Sequence, residues 1–175
     1  MKKFNPGFIF LRYAILILIA LPNLILFDLI FTPLTVYPVY FILSLFYKTS
    51  LFGLNLLVVN GLVISLIPAC IALSAYYFLA VLNLTTPMPI KTRFKSLGFL
   101  FGVFLLLNIL RIAIFSALAV SDSAYFSTLH ELVWYIGSTI FVVLLWFAQV
   151  YIFKIKSIPA YSDFLSILKE TKKKR

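Results

Sequence analysis

Apolar residues in this chain come in long blocks, separated by short polar or basic stretches. Three blocks, residues 69–86, 96–120 and 128–153, each approach or exceed the roughly 20 residues that a helix needs to cross a bilayer core. Pro68 suits the first turn of the first helix, and Pro87 and Pro89 stop it. A basic loop follows, then the second helix, then a short polar loop of Ser121, Asp122 and Ser123, then the third. Gly98 and Gly102 form a GxxxG pair in the second helix, which predicts close helix packing in that half.

The N-terminal part is less regular. Residues 13–31 read as a retained membrane anchor, kinked at Pro22 and Asn23, with Asp28 near its outer end. Residues 32–47 carry Pro33 and Pro38, which argue against a spanning helix and for a re-entrant or outer-surface one, with Tyr37, Tyr40 and Tyr47 at headgroup level. Within residues 54–67, two β-branched-rich runs flank Asn60-Gly61. Asn-Gly supplies the two positive φ angles of a type I′ turn, so a short β-hairpin is predicted. Its open edges exclude the hydrocarbon and place it at the membrane surface. A spanning helix over the same residues is the competing reading.

Composition fixes the solvent: 63% of the 175 residues are hydrophobic and only 11% are charged, more apolar surface than a water-soluble domain of this size can hide. The fifteen basic and five acidic residues give a net charge of +10. All basic residues except Lys48 and Arg111 fall in three clusters: Lys2, Lys3 and Arg12; Lys91, Arg93 and Lys95; and the stretch from Lys154 to Arg175. Basic loops stay cytoplasmic, so all three clusters and both termini are expected inside. The tail suits an anionic inner leaflet. Nucleic-acid binding is not expected, because no aromatic-rich soluble module accompanies the charge.

Chemistry has few groups to work with. The single Cys and single His exclude an intrachain disulfide and a zinc site built from Cys and His alone, and no phosphate loop, GxSxG or HExxH motif is present. No cofactor or metal is expected. Three polar residues nevertheless reach the outer side. Cys70 lies 16 residues before Thr86 and Arg111 lies 16 residues after Lys95, so each stands about 24 Å above the inner boundary. His130 lies 24 residues before Lys154, about 36 Å up, at the outer interface. An arginine inside the bilayer costs about 2.5–3.5 kcal/mol on insertion scales and marks a functional site by default. Snorkelling, or pairing with Asp28, Asp122 or Glu131, is the competing account. A lone Cys in an apolar helix is ordinarily a small hydrophobe. Cys70, however, is expected in a helix's first turn, where the dipole favours a reactive thiolate. Thiol, imidazole and guanidinium together supply a nucleophile, an acid–base and a fixed cation.

These residues carry a resemblance. Pro68-Ala69-Cys70 with Ala75-Tyr76-Tyr77, Asn108-Ile109-Leu110-Arg111-Ile112, and His130 followed by Trp134-Tyr135 and Gly137 resemble the exosortase/archaeosortase family of membrane-embedded cysteine transpeptidases. The likeness covers about residues 50–155 and is greatest to the small archaeal members, the pacearchaeosortase type. One departure is that Ile71-Ala72 stand where family members commonly have Ser-Gly, which bears on how closely a substrate backbone approaches the thiol.

Pattern and composition predict an all-α integral membrane protein with four to five transmembrane helices, an outer re-entrant or surface helix and a short outer β-hairpin, with residues 1–156 as one catalytic domain and residues 157–175 as a basic cytoplasmic tail. The resemblance implies Cys70, Arg111 and His130 as catalytic residues, with Asn108, Glu131 and Tyr77 as substrate-binding candidates. The implied partners are secreted proteins ending in a short motif, a transmembrane helix and a basic tail, together with membrane lipids. Water is an equally open acceptor. The rival expectation is a non-enzymatic membrane subunit, a transporter component or assembly scaffold, in which Arg111 binds an anionic group.

Overall fold

The computed structural model describes residues 24–122 and 125–155, with residues 13, 14, 16–18 and 20. The N-terminal basic residues, Pro22, Asn23, Ser123 and the tail 157–175, on which several sequence expectations fall, lie outside the described residues.

Helix α1 (Ile25–Ser44) leads into three short strands, β1 (Thr49–Phe52), β2 (Leu56–Val59) and β3 (Leu62–Ser65). Then come a single helical turn, α2 (Pro68–Ile71), and the helices α3 (Leu73–Thr85), α4 (Ile90–Val120) and α5 (Phe126–Leu132). A π-helical turn (Val133–Gly137) joins α5 to α6 (Ser138–Ile152). Both junctions keep right-handed helical backbone angles, so residues 126–152 follow one helical path.

The N-terminal division differs from the sequence expectation. The break falls at Leu24, in the left-handed region at φ 59°, and α1 then runs through both Pro33 and Pro38. A proline inside a helix costs about 3 kcal/mol through its lost hydrogen bond and ring clash. Tertiary packing offsets this: Phe27, Phe31, Thr35, Val39 and Leu43 recur every fourth residue and are all buried, a continuous ridge. Phe31 stacks on Tyr76 with centroids 3.7 Å apart, and Phe101 meets both rings edge-on. Local proline chemistry loses to this aromatic cluster.

The Asn60-Gly61 hairpin forms as expected, with φ 50° at Asn60 and 88° at Gly61, pairing Val59 with Leu62. A third strand, β1, adds to it in the antiparallel order β1-β2-β3. Asn60 locks that addition: its backbone N–H donates to the Lys48 carbonyl, and its side-chain oxygen accepts from the Lys48 N–H. In β2, Leu57 and Val59 are buried and their neighbours are not, so one face of the sheet joins the helical core.

The predicted helix over 69–86 is divided. Ala72 adopts φ 62° and ψ 43°, ending α2 after one turn and starting α3 afresh. On α4, the buried positions Ser96, Leu100, Phe104, Asn108, Ile112 and Ser116 again recur every fourth residue. Gly98 and Gly102 lie two residues off that ridge, on the opposite side, with open space around each. Among the described residues, the GxxxG pair therefore packs against no helix, where the sequence predicts close helix packing.

Helices α1 and α4 are long and apolar enough to cross a membrane by length and composition. Only 28% and 33% of their most apolar windows are buried, so most of those side chains face outward, unlike the core helices of a water-soluble protein.

Candidate active site

The break at Ala72 creates the site's first problem. A left-handed residue interrupts the helical ladder, so the carbonyls of Cys70 and Ile71 need other partners. Helix α4 supplies them. Asn108 Nδ2 donates to the Ile71 carbonyl at 3.0 Å and to the Cys70 carbonyl at 3.2 Å. One turn further along α4, Arg111 Nη2 donates to the Cys70 carbonyl at 2.9 Å. Residues three apart share a helix face, so two side chains of α4 hold the backbone beside the thiol. Asn108 is itself buried.

Arg111 reaches in a second direction. Its Nη1 donates to Ser138 Oγ at 3.0 Å, and that hydroxyl donates to the Val133 carbonyl at 3.3 Å. Val133 opens the π-helical turn, a form that concentrates at functional sites. One guanidinium thus ties α2, α4 and the α5–α6 path together. It also lies close enough to Cys70 and Tyr76 to interact electrostatically with both.

His130 enters from α5, on the same helical path as Ser138. Its ring stacks on Phe126 with centroids 5.4 Å apart and planes 15° apart, and Phe115 of α4 meets it edge-on at 5.4 Å. Two aromatic contacts at nearly right angles fix the plane of the imidazole.

Cys70, Arg111 and His130 line one cavity of about 440 Å³, within the range of small-ligand sites. Its other walls are largely apolar, including Ile112, Phe115 and Phe126, and residues 62–67 run along one side. Among the described residues, no three His, Cys, Asp or Glu side chains converge as metal ligands do.

The remaining sequence candidates fall differently. Asn108 lies against the cysteine backbone rather than lining the cavity. Glu131 is exposed and is not part of the wall. Tyr77 is distant in role: its hydroxyl donates to the Leu16 carbonyl at 3.1 Å and its ring meets Phe27 edge-on, which ties the N-terminal segment to α3. The expectation that Cys70 opens a long helix is also corrected. It occupies a one-turn helix, and the N-terminus of the longer α3 begins after it.

Two features escaped the sequence reading. Ser138 is one of few polar residues in the last apolar block, and that scarcity was the available signal. The wall formed by β3 had none, because cavity walls depend on which strand edge is left open.

Comparison of the chain with protein-family models, with curated proteins and with solved structures gives no match.

Proposed function

We propose that this chain is a membrane-embedded cysteine transpeptidase or protease that removes C-terminal sorting signals from secreted surface proteins. The observation carrying this reading is the shared cavity: a thiol, a guanidinium and an imidazole, delivered by α2, α4 and α5, open into one largely apolar space. The likeness of the Cys70, Arg111 and His130 segments to the exosortase/archaeosortase family points to the same chemistry.

In this reading the Cys70 sulfur, as thiolate, attacks the carbonyl carbon of the scissile peptide bond, and the electron pair moves to the carbonyl oxygen. Collapse of the tetrahedral intermediate breaks the C–N bond. His130 gives its proton to the departing amine, leaving a thioester on Cys70. An incoming nucleophile, a lipid amine or water, loses a proton to His130 and attacks the thioester, which frees Cys70 as thiolate and leaves His130 protonated for the next cycle. A guanidinium carries five N–H donors, and Arg111 spends two on Cys70 and Ser138, so others remain for the oxyanion.

The topology that suits this chemistry has α1 bringing the chain to the outer side, followed by crossings of α2–α3, α4 and the α5–α6 path. The Lys91–Lys95 loop then lies inside, and the sheet and cavity lie at the outer face. A substrate anchored by its own transmembrane tail then reaches the cavity by lateral diffusion. Because lipid tails are as apolar as the helix surfaces, the ridge-and-aromatic core holds by close packing rather than by exclusion of water.

The rival reading is a non-enzymatic subunit whose apolar cavity holds an anionic group on Arg111. It expects Arg111 to matter and Cys70 and His130 to tolerate substitution. The test is Cys70→Ala in the native host, followed by the masses of secreted proteins that carry a motif, a transmembrane helix and a basic tail. Retention of the tails supports the transpeptidase; full processing rules it out.

A further inference from the structure

β3 is the outer strand of the sheet, and its open edge lies along the cavity. The wall includes six consecutive residues, from Leu62 to Ile67. Successive strand residues point to opposite faces, so a cavity touching every one of them runs along the strand's edge, not over one face. The edge is open because the order β1-β2-β3 leaves β3 with a single neighbour.

The turn determines which groups face out. In a two-residue type I′ hairpin, the flanking pair, Val59 and Leu62, exchanges both backbone hydrogen bonds. Alternation along an antiparallel ladder then makes Val58–Val63 and Leu56–Ser65 non-hydrogen-bonded pairs. The N–H and C=O groups of Val63 and Ser65 therefore point away from β2, toward the open edge. Among the described residues nothing pairs with them. From Ser65 the chain reaches Cys70 in five residues, with Leu66 N–H tied to the Asn55 carbonyl and Cys70 N–H tied to the Ile67 carbonyl.

We infer that the substrate binds as a fourth strand on β3: an extended peptide segment pairs with the outward backbone groups of Val63 and Ser65 and so lays its scissile carbonyl beside the Cys70 sulfur. The inference rests on the transpeptidase reading and adds the form in which substrate is recognised. Backbone pairing gives affinity without regard to side chains, and the flanking apolar wall reads alternate side chains. An unpaired edge at a membrane surface is otherwise a liability, since it templates pairing with other chains.

Because Cys70 is the chain's only cysteine, alkylation reports on this site alone. The probe is a bromoacetyl-capped pentapeptide of alternating leucine and threonine, compared with bromoacetamide. In both, the sulfur displaces bromide and the thiol proton passes to buffer. The peptide is expected to label Cys70 about tenfold faster than bromoacetamide, the gain from a pair or two of backbone hydrogen bonds. Methylating one alternate set of its amides should abolish the gain, while methylating the other set, whose N–H groups face away from β3, should preserve it. The methylated peptides are the more apolar, so simple partitioning into lipid would give the opposite order. Val63→Pro, which removes an outward N–H and no β2–β3 bond, should abolish the peptide's advantage and leave bromoacetamide labelling unchanged. Equal rates for both methylated isomers, or a peptide no faster than bromoacetamide, overturn the inference. Normal tail removal by Cys70→Ala would remove the enzymatic reading instead, and the labelling rates would still report on the strand edge.

Discussion

Arg111 Nη2 lies 2.9 Å from the carbonyl oxygen of Cys70, on a different helix and 41 positions away in sequence. The cation is thus fixed by the backbone of the residue whose thiol it accompanies. Its second arm is fixed by Ser138 on the path that also carries His130. Displacing any one of the three elements displaces the other two, so the cavity's polar groups are set as a unit.

Arg111→Lys is expected to keep the charge and lose the geometry, because an ammonium cannot reach Cys70 and Ser138 in the same planar fork. Loss of a charge-assisted hydrogen bond is worth about 1.5–3 kcal/mol, so tail removal should fall about ten- to hundredfold with the protein still inserted. Ser138→Ala removes one partner and should cost less, about fivefold. Processing rates in membranes containing each variant check both. A Lys variant with full activity would mean that charge alone suffices.

Asn108→Leu is nearly isosteric and leaves the Ile71 carbonyl without its partner in a buried setting. A buried acceptor left unsatisfied costs about 1–3 kcal/mol. Thermal unfolding in detergent should show a lowered midpoint, and Cys70 labelling should become less uniform in rate. An unchanged midpoint would mean that the one-turn helix α2 is held by other contacts.

Ala72 adopts a backbone conformation that L side chains rarely take. Its left-handed backbone costs an L-residue about 1–2 kcal/mol, which glycine escapes at the expense of a looser unfolded chain. Ala72→Gly is therefore expected to be neutral or stabilising, by up to about 1 kcal/mol, whereas Ala80→Gly, inside α3, should destabilise by about 1 kcal/mol. Ala72→Val should destabilise strongly, since a β-branched residue is poorly accommodated at positive φ. Unfolding midpoints of the three variants decide the matter.

The sequence disclosed the parts governed by local chemistry. Asn60-Gly61 specified its turn, Pro87 and Pro89 ended a helix, and the arithmetic of helical rise brought Cys70 and Arg111 to one level. The parts set by tertiary contact were hidden. Nothing in Ile71-Ala72 signals a break, because alanine is the best helix former. The break is tolerated because Asn108 and Arg111, distant in sequence, donate hydrogen bonds to the freed carbonyls. Pro33 and Pro38 misled for the converse reason: local cost was visible, and the ridge from Phe27 to Leu43 was not. Gly98 and Gly102 showed a small-residue spacing, but facing was decided by the buried ridge two residues away.

The proposed outward orientation gives a prediction independent of substrate. A membrane-impermeant maleimide added to intact cells should label Cys70, which is half-buried at the cavity wall. The same reagent applied only to the cytoplasmic face of inverted vesicles should not. Cytoplasmic labelling alone would reverse the topology and, with it, access for a secreted substrate.

In the transpeptidase reading, Cys70 forms a covalent bond to substrate. The direct measurement is mass spectrometry of the protein after brief reaction with a tail-bearing substrate and an acid quench. The expected result is an adduct on Cys70 equal to the substrate's N-terminal fragment, released by neutral hydroxylamine as a thioester is, and missing in Cys70→Ala. Substrate cleavage that proceeds with no such adduct, at the same rate in Cys70→Ala, would contradict it.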